Sequence, residues 1–320
     1  MPNVNMTAAM LIALLLDASF GWPQSLYRVV GHPVTWLGAL IDAGDRHLNH
    51  TADRNATRRL AGLGLTCGVI AVAAGLGFAV SAALPAGWGG VILTGILAWP
   101  LVATRALHDH VLAVARPLAM GDLAGARQAV SMIVGRNPER LDTAGVARAA
   151  MESLAENTSD GVVAPLLWGM VLGLPGIAAY KAINTMDSMI GHRTPRHEAF
   201  GWAAARLDDI ANLIPARLTG LLFALVSVRP ATAWTVMLRD ASTHRSPNAG
   251  WPEAAFAGAL GIRLSGPRSY DGHVADEPWL NAGSPDPQPR DLARGLALYR
   301  RAMVALAATM ALIVLACGRP

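Results

Sequence analysis

The sequence predicts an all-α protein that crosses the membrane several times, on three observations. Hydrophobic residues make up 53% of the chain and charged residues only 15%. The mean hydropathy is +0.36, outside the range of ordinary soluble domains. No side chain from Leu60 to Thr104 is charged, and Pro85-Ala-Gly-Trp-Gly-Gly interrupts that run. About 20 apolar residues span the hydrocarbon as a helix, so this run reads as two membrane helices joined by a tight turn. Other charge-free runs cover 1–16, 161–180 and 302–318, with a shorter one at 218–228.

In order, these runs describe one integral domain over 1–320. Its apolar segments lie at about 4–20, 60–84, 88–104, 161–182, 211–228 and 302–317, and its polar segments at 105–158 and 229–300. The first segment has no positive leading region and no small-x-small cleavage site before Asp17, Gly21, Trp22 and Pro23, so it reads as a retained helix. Residues 106–158 carry apolar positions at helical spacing, punctuated by Gly121-Asp122 and Asn137-Pro138, and predict amphipathic soluble helices. The run beginning at 161 breaks at Leu174-Pro175-Gly176, and 276–290 is rich in Pro, Gly and Asp. Cys67 and Cys317 both lie in apolar runs, which indicates neither a disulfide nor a metal site.

The net charge of +4 comes almost wholly from arginine, because Lys181 is the only lysine. With no aromatic-basic platform, nucleic acid is excluded as a partner. Arginine-rich loops at 28–59, 105–148, 193–206 and 229–301 all favour the cytoplasmic side. Simple alternation of spans cannot place them all there. One of the later segments, either the hairpin at 161–190 or the span at 213–228 with a buried Arg217, is therefore expected to be re-entrant or interfacial.

Ionisable groups beside lipid are costly, so a cluster of them in apolar sequence marks a site. On a helix over 144–160, Glu152, Glu156 and Asp160 fall at i, i+4 and i+8 on one face, beside Ser153 and Asn157. Like charges at that spacing repel and call for a cation or arginines. Oxygen ligands of this kind suit Mg²⁺, which takes carboxylates together with phosphate oxygens and water. A Glu-x-x-x-Glu pair is more often a solvated face. Here it abuts a membrane segment and is echoed by Asp187 and Asp208-Asp209. Lys181 shares a helical face with Asn184, Thr185 and Ser188. Its plain reading is a side chain snorkelling to the interface. Its functional reading is a compact charge that grips phosphate or answers a carboxylate. His192, Arg193, Arg196 and Arg206 complete the central block; their guanidinium forks match phosphate, or anchor a loop at lipid headgroups. A second polar block, Asp240 to Ala254, holds His244, Arg245, Asn248 and Glu253 and reads as a ligand-bearing loop or as a turn capping a helix that begins near Pro252. No phosphate-binding glycine loop, dinucleotide fingerprint, nucleophile elbow or Cys/His metal spacing is present.

Three long motifs carry a resemblance. They are Glu152-Ser-Leu-Ala-Glu156-Asn157-Thr-Ser-Asp160-Gly161, Tyr180-Lys181-Ala-Ile-Asn184-Thr-Met-Asp187-Ser-Met-Ile-Gly191-His192, and Phe200-Gly-Trp-Ala-Ala-Ala-Arg206-Leu-Asp208-Asp209. Together with Asp17, Phe20-Gly21-Trp22-Pro23, Tyr27-Arg28, Gly31-His32-Pro33-Val34, Trp36 and the His244–Ala254 block, they closely resemble the adenosylcobinamide-phosphate synthase family (CbiB, also called CobD) over essentially the whole chain. The resemblance implies a multi-pass enzyme of the inner membrane late in corrinoid assembly. Such an enzyme attaches aminopropanol, free or as its phosphate, to the remaining propionate of adenosylcobyric acid, with ATP driving the amide bond. The implied partners are these substrates, membrane lipid, and a second copy of the chain or other enzymes of the pathway.

Chemistry then suggests roles on residue type and clustering. Glu156, Asp160, Asp187 and Asp208 would hold Mg²⁺ and ATP, with Glu152 and Asp209 supporting them. Lys181, Arg193 and Arg206 would meet phosphate oxygens. A carboxylate or His192 would take the proton of the attacking ammonium. Asn157, Asn184, His244, Arg245 and Asn248 would bind the substrates. The segment Asp271-Gly-His273-Val-Ala-Asp276 resembles a cobalt-coordinating signature but lacks its final glycine and reads as a loop. The rival functions are a non-catalytic membrane sensor, of a related beta-lactamase-regulation type, and a transferase acting on a lipid diphosphate. The first does not need so dense a set of acids and cations, and the second expects paired Asp-x-x-x-Asp repeats.

Overall fold

Apolar runs become helices because no water is present to satisfy exposed backbone groups in a bilayer. The computed structural model describes residues 4–133, 139–270, 273–275 and 277–317. In chain order the helices are α1 (Val4–Phe20), α2 (Gln24–Val30), α3 (Pro33–Leu48), α4 (Asn55–Ala83), α5 (Trp88–Ala98), α6 (Thr104–Ala119) and α7 (Leu123–Ser131). They continue as α8 (Thr143–Thr158), α9 (Ala164–Ile190), α10 (Trp202–Ala211), α11 (Leu213–Val226), α12 (Pro230–Asp240), α13 (Gly250–Leu260) and α14 (Pro289–Cys317). Among the described residues, strands are confined to two short antiparallel pairs: β1 (Leu264–Ser265) with β4 (Trp279–Leu280), and β2 (Arg268–Tyr270) with β3 (His273–Ala275).

Among the described residues, Asn55–Ala83, Trp88–Ala119, Thr143–Ile190 and Pro289–Cys317 are long and apolar enough to cross a membrane. Two bent pairs, α1 with α2 and α10 with α11, raise the number to six if each forms one span. The chain is a multi-pass membrane protein. The sharpest bend falls early, 112° between α1 and α2; the other bent pair, α10 with α11, contains the 213–228 segment expected to be re-entrant or interfacial. Arg217 is half-buried and not enclosed. It donates to the Leu213 carbonyl at 2.7 Å and lies over the Trp251 ring at 4.5 Å, so its stem runs along its own helix to an aromatic face.

The chain divides into two compact units. The first comprises 1–103, 164–212 and 309–320. Its core joins Ile41 of α3, Leu65, Val69 and Ala73 of α4, Ala182, Met186 and Ile190 of α9, and Phe200 and Ala204. The outer face of α4 leaves Leu60, Leu76 and Phe78 exposed, as a helix bathed in lipid requires. Gly173 adopts φ 68°, ψ −151°, a conformation open only to glycine. With Pro175 lacking an N–H, this kinks α9 at the break read from the sequence.

The second unit comprises 104–163 and 213–308. α13 is buried along its whole length except at Trp251, so it is the central helix of this unit. Phe256 of α13 meets Phe223 of α11 edge-on, with ring centroids 5.1 Å apart. The amphipathic expectation for 106–158 fails at α8, which is buried on every side from Gly145 to Ala155, because its alanines let neighbours close in. Asn137 and Pro138 lie outside the described residues. The segment read as a loop around His273 contributes β3; an Asp-Gly pair between extended stretches is a hairpin signal that reading passed over. Asp271 and Asp276 lie outside the described residues.

Candidate functional site

The polar residues of the first unit gather on the second half of α9 and on α10. Beyond Gly173 the helix is regular, so Lys181, Asn184 and Asp187 recur along one stripe, all half-buried. Ala182, Met186 and Ile190 face the core, which turns the polar stripe away from it.

On α10, Asp208 is held by a relay. The buried Tyr180 hydroxyl donates to Asn212 Oδ1 at 2.8 Å, and Asn212 Nδ2 donates to Asp208 Oδ2 at 2.9 Å. Tyr180 thereby fixes which way the Asn212 amide faces. The other Asp208 oxygen, Oδ1, is buried and accepts no hydrogen bond of ordinary geometry. Asn184, Asp187 and Asp209 surround the same carboxylate. Asp209 pairs with Arg206 at 2.8 Å, and Asp187 lies in the fields of His192, Asp209 and Arg206. A Cβ on Gly191 would overlap the Asp187 carboxylate, so glycine lets the chain turn directly over that acid. Carboxylates in mutual reach repel. Arg206 and His192 answer part of that charge.

The loop 191–201, which carries the exposed His192 and Arg193, is tied down on α3 and α4. Arg196 donates twice to Asp45 Oδ2, at 3.0 and 2.6 Å, and Asn49 donates to Asp45 Oδ1 at 2.7 Å. Arg58 donates to Asn49 Oδ1 at 3.0 Å and to the carbonyls of Pro195 and Arg196. A Cβ on Gly62 would overlap the Phe200 carbonyl, and one on Gly201 the Ile190 carbonyl. Burial pushes the Asp45 carboxyl up, but hydrogen bonds from Asn49 and Arg196 and the Arg196 charge more than offset it and hold it below the usual carboxylate range. Arg196 is thus engaged within the protein and not at a lipid headgroup.

Glu152, Glu156, Asn157, Asp160, His244, Arg245 and Asn248 belong to the second unit. Glu152 is buried, and its Oε1 accepts from the Ser265 amide at 2.8 Å, supporting a residue at φ 59°. Glu156 and Asn157 are exposed, and Asn157 Nδ2 donates to the Ser153 carbonyl at 2.9 Å. Asp160 is half-buried in a π-helical turn, Ser159–Val163. The expected single face of Glu152, Glu156 and Asp160 is not formed, because the wider turn breaks the α-helical register and Glu152 points inward. His244 Nε2 stands 3.8 Å from Glu253 Oε1, both side chains buried. Arg245 pairs with Glu277 at 3.3 Å, and Asn248 is buried. Among the described residues, no three of His, Cys, Asp and Glu form a ready-made metal cage.

One residue outside the expected set belongs to the first site: Asn212, an i+4 neighbour of Asp208, a spacing that could have exposed it.

Comparison with known proteins comes to the same place. Residues 10–299 match the model of the CobD/Cbib protein family. The cobalamin biosynthesis protein CobD of Rhodobacter capsulatus is 62% identical over 97% of this chain and 98% of its own length. The protein of that name from Brucella suis biovar 1 is 51% identical, with 90% of each chain covered. The one from Sinorhizobium fredii is 45% identical over 98% of each. No solved structure matches the chain.

Proposed function

The chain belongs to the CobD/Cbib protein family of cobalamin biosynthesis, and we propose that it is the amide-forming enzyme of a late step, in the cytoplasmic membrane. The reading joins aminopropanol, free or phosphorylated, to the propionate carboxylate of adenosylcobyric acid at the expense of ATP. A carboxylate and an ammonium do not condense unaided in water. Phosphoryl transfer from ATP to the carboxylate would give an acyl phosphate and ADP; the neutral amine would then displace phosphate as the amide forms.

The observation that carries the reading is the grouping of Asp187, Asp208 and Asp209, with Asp208 held by Asn212 and Asp209 by Arg206. That donor set fits a hard divalent cation of the Mg²⁺ kind, which takes one or two protein carboxylates and fills its shell with phosphate oxygens and water. Asp187 and Asp208 would hold it, and its charge would neutralise phosphate oxygens. Arg206 keeps Asp209 oriented at the edge of the group. Lys181 supplies a compact positive charge for a phosphate, and the exposed Arg193 a bidentate fork. His192 is placed beside Asp187 to accept the proton shed by the amine. Glu152 stays outside the chemistry, because its carboxylate is engaged by Ser265.

Purified protein given cobyric acid, ATP, Mg²⁺ and each amine in turn is expected to yield an amide detectable by mass spectrometry. No ATP-dependent product with either amine would overturn the reading. Asp187→Asn and Lys181→Ala are expected to abolish turnover while the folded protein remains in the membrane; wild-type rates in both would discard the residue assignments.

A further inference from the structure

His32 is set up with more care than a helix cap needs. Its Nδ1 accepts the Val34 amide at 3.2 Å, and the Thr35 hydroxyl donates to the His32 carbonyl at 2.7 Å. A ring nitrogen that accepts carries no proton, so in the neutral ring the proton sits on Nε2, on the far side of the ring from the cap. Trp22 stands edge-on to the imidazole at 5.3 Å and is itself anchored by its Nε1–H to the Gly31 carbonyl at 3.1 Å. α3 and α9 pack in the same direction, with Gly38 beside Met189 and Asp45 beside Arg196 just past the end of α9, so His32 stands level with the turn of α9 that carries the Lys181 charge. Burial first, and that charge second, push the imidazole's pKa below its usual value, so the ring stays neutral beside the ammonium. His32 remains half-buried and open to a ligand.

Building on the phosphoryl-handling reading above, we propose that His32 is a substrate-binding residue whose Nε2–H acts with the Lys181 ammonium as a two-donor clamp on one phosphoryl group. A phosphate accepts both bonds, and a neutral donor adds to the lysine without like-charge repulsion. The phosphoryl group is either one of ATP or that of aminopropanol phosphate.

The test separates clamp from cap. Asparagine is among the best N-caps, so His32→Asn keeps the acceptor for Val34 and removes the imidazole donor. Binding of ATP and of aminopropanol phosphate, each alone, would be measured calorimetrically on detergent-purified protein, alongside thermal melting and KM for every substrate. His32→Asn is expected to melt as wild type and to bind one of the two phosphates about tenfold more weakly, about 1.4 kcal/mol. The ligand affected identifies the clamped group. If His32→Asn lowers melting, His32→Asp (also a strong cap, but with no donor) is expected to restore it without restoring binding. Unchanged affinity for both phosphates in a folded variant overturns the clamp, and so does a loss confined to cobyric acid. Weaker ATP binding in His32→Asn, with no amide formed by wild type, would sink the ligase reading and leave the clamp standing.

Discussion

Both compact units are rich in acids, arginines and histidines, yet they use them differently. In the second unit three acids are answered by their own chain. Asp240 takes Arg239 and the Asn281 amide, Asp286 takes Arg263 and Arg148, and Glu152 takes Ser265. Arg148 and Arg263 both lie over the Trp279 ring, at 4.6 and 4.1 Å, while sharing Asp286. In the first unit Asp187, Asp208 and Asp209 crowd one another, with only amide donors, Asn212 and Asn184, facing Asp208. Satisfied charge is architecture; crowded like charge is what marks a candidate site.

The largest test of that contrast is Asp208→Asn. Turnover is expected to fall by about a hundredfold or more, while the protein melts no lower than wild type, because one of several mutually repelling carboxylates has gone. Lower melting with turnover retained would make Asp208 structural and erase the difference between the units. Glu152→Ala should do the reverse. It leaves the Ser265 amide buried without its acceptor, at a cost of about 1–3 kcal/mol, whereas Glu152→Gln keeps an oxygen there and should lose much less. Equal melting of the Ala and Gln variants would remove Glu152 from the framework.

The smallest effect sharpens the comparison inside the first unit, where the Asp45 network is as satisfied as anything in the second. A carboxyl whose folded pKa lies below its unfolded value stabilises at pH above the unfolded value and loses that contribution as pH falls through the folded one. The melting advantage of wild type over Asp45→Asn is therefore expected to be full near neutrality and to vanish in acid, below the ordinary value of 3.8. A difference that stays constant as the pH is taken well below 3.8 would assign Asp45 no titrating role.

Much of this was readable from residue order. Charge-free runs located the apolar helices, and Leu174-Pro175-Gly176 located the kink to within a residue, because neither depends on what packs against them. The acidic face of α8 was misread for the opposite reason. Spacing says that Glu152 and Glu156 share a side, but only the neighbours decide whether that side meets water or Ser265. The π-helical turn that carries Asp160 out of register leaves no trace in spacing at all. His32 and Asn212 were overlooked because their importance comes from what they hold, Val34 and Asp208, across short turns of backbone.

The tight seating of loop 191–201 has a further consequence. A closing flap needs slack where it joins the body. Here Phe200 and Ile190 abut glycines that admit not even a methyl group, and Arg58 grips the segment from beneath. On the proposed reading, a bulky reactant would be received at this edge on a surface already shaped to it, with outline and charge, not a closing door, setting the discrimination.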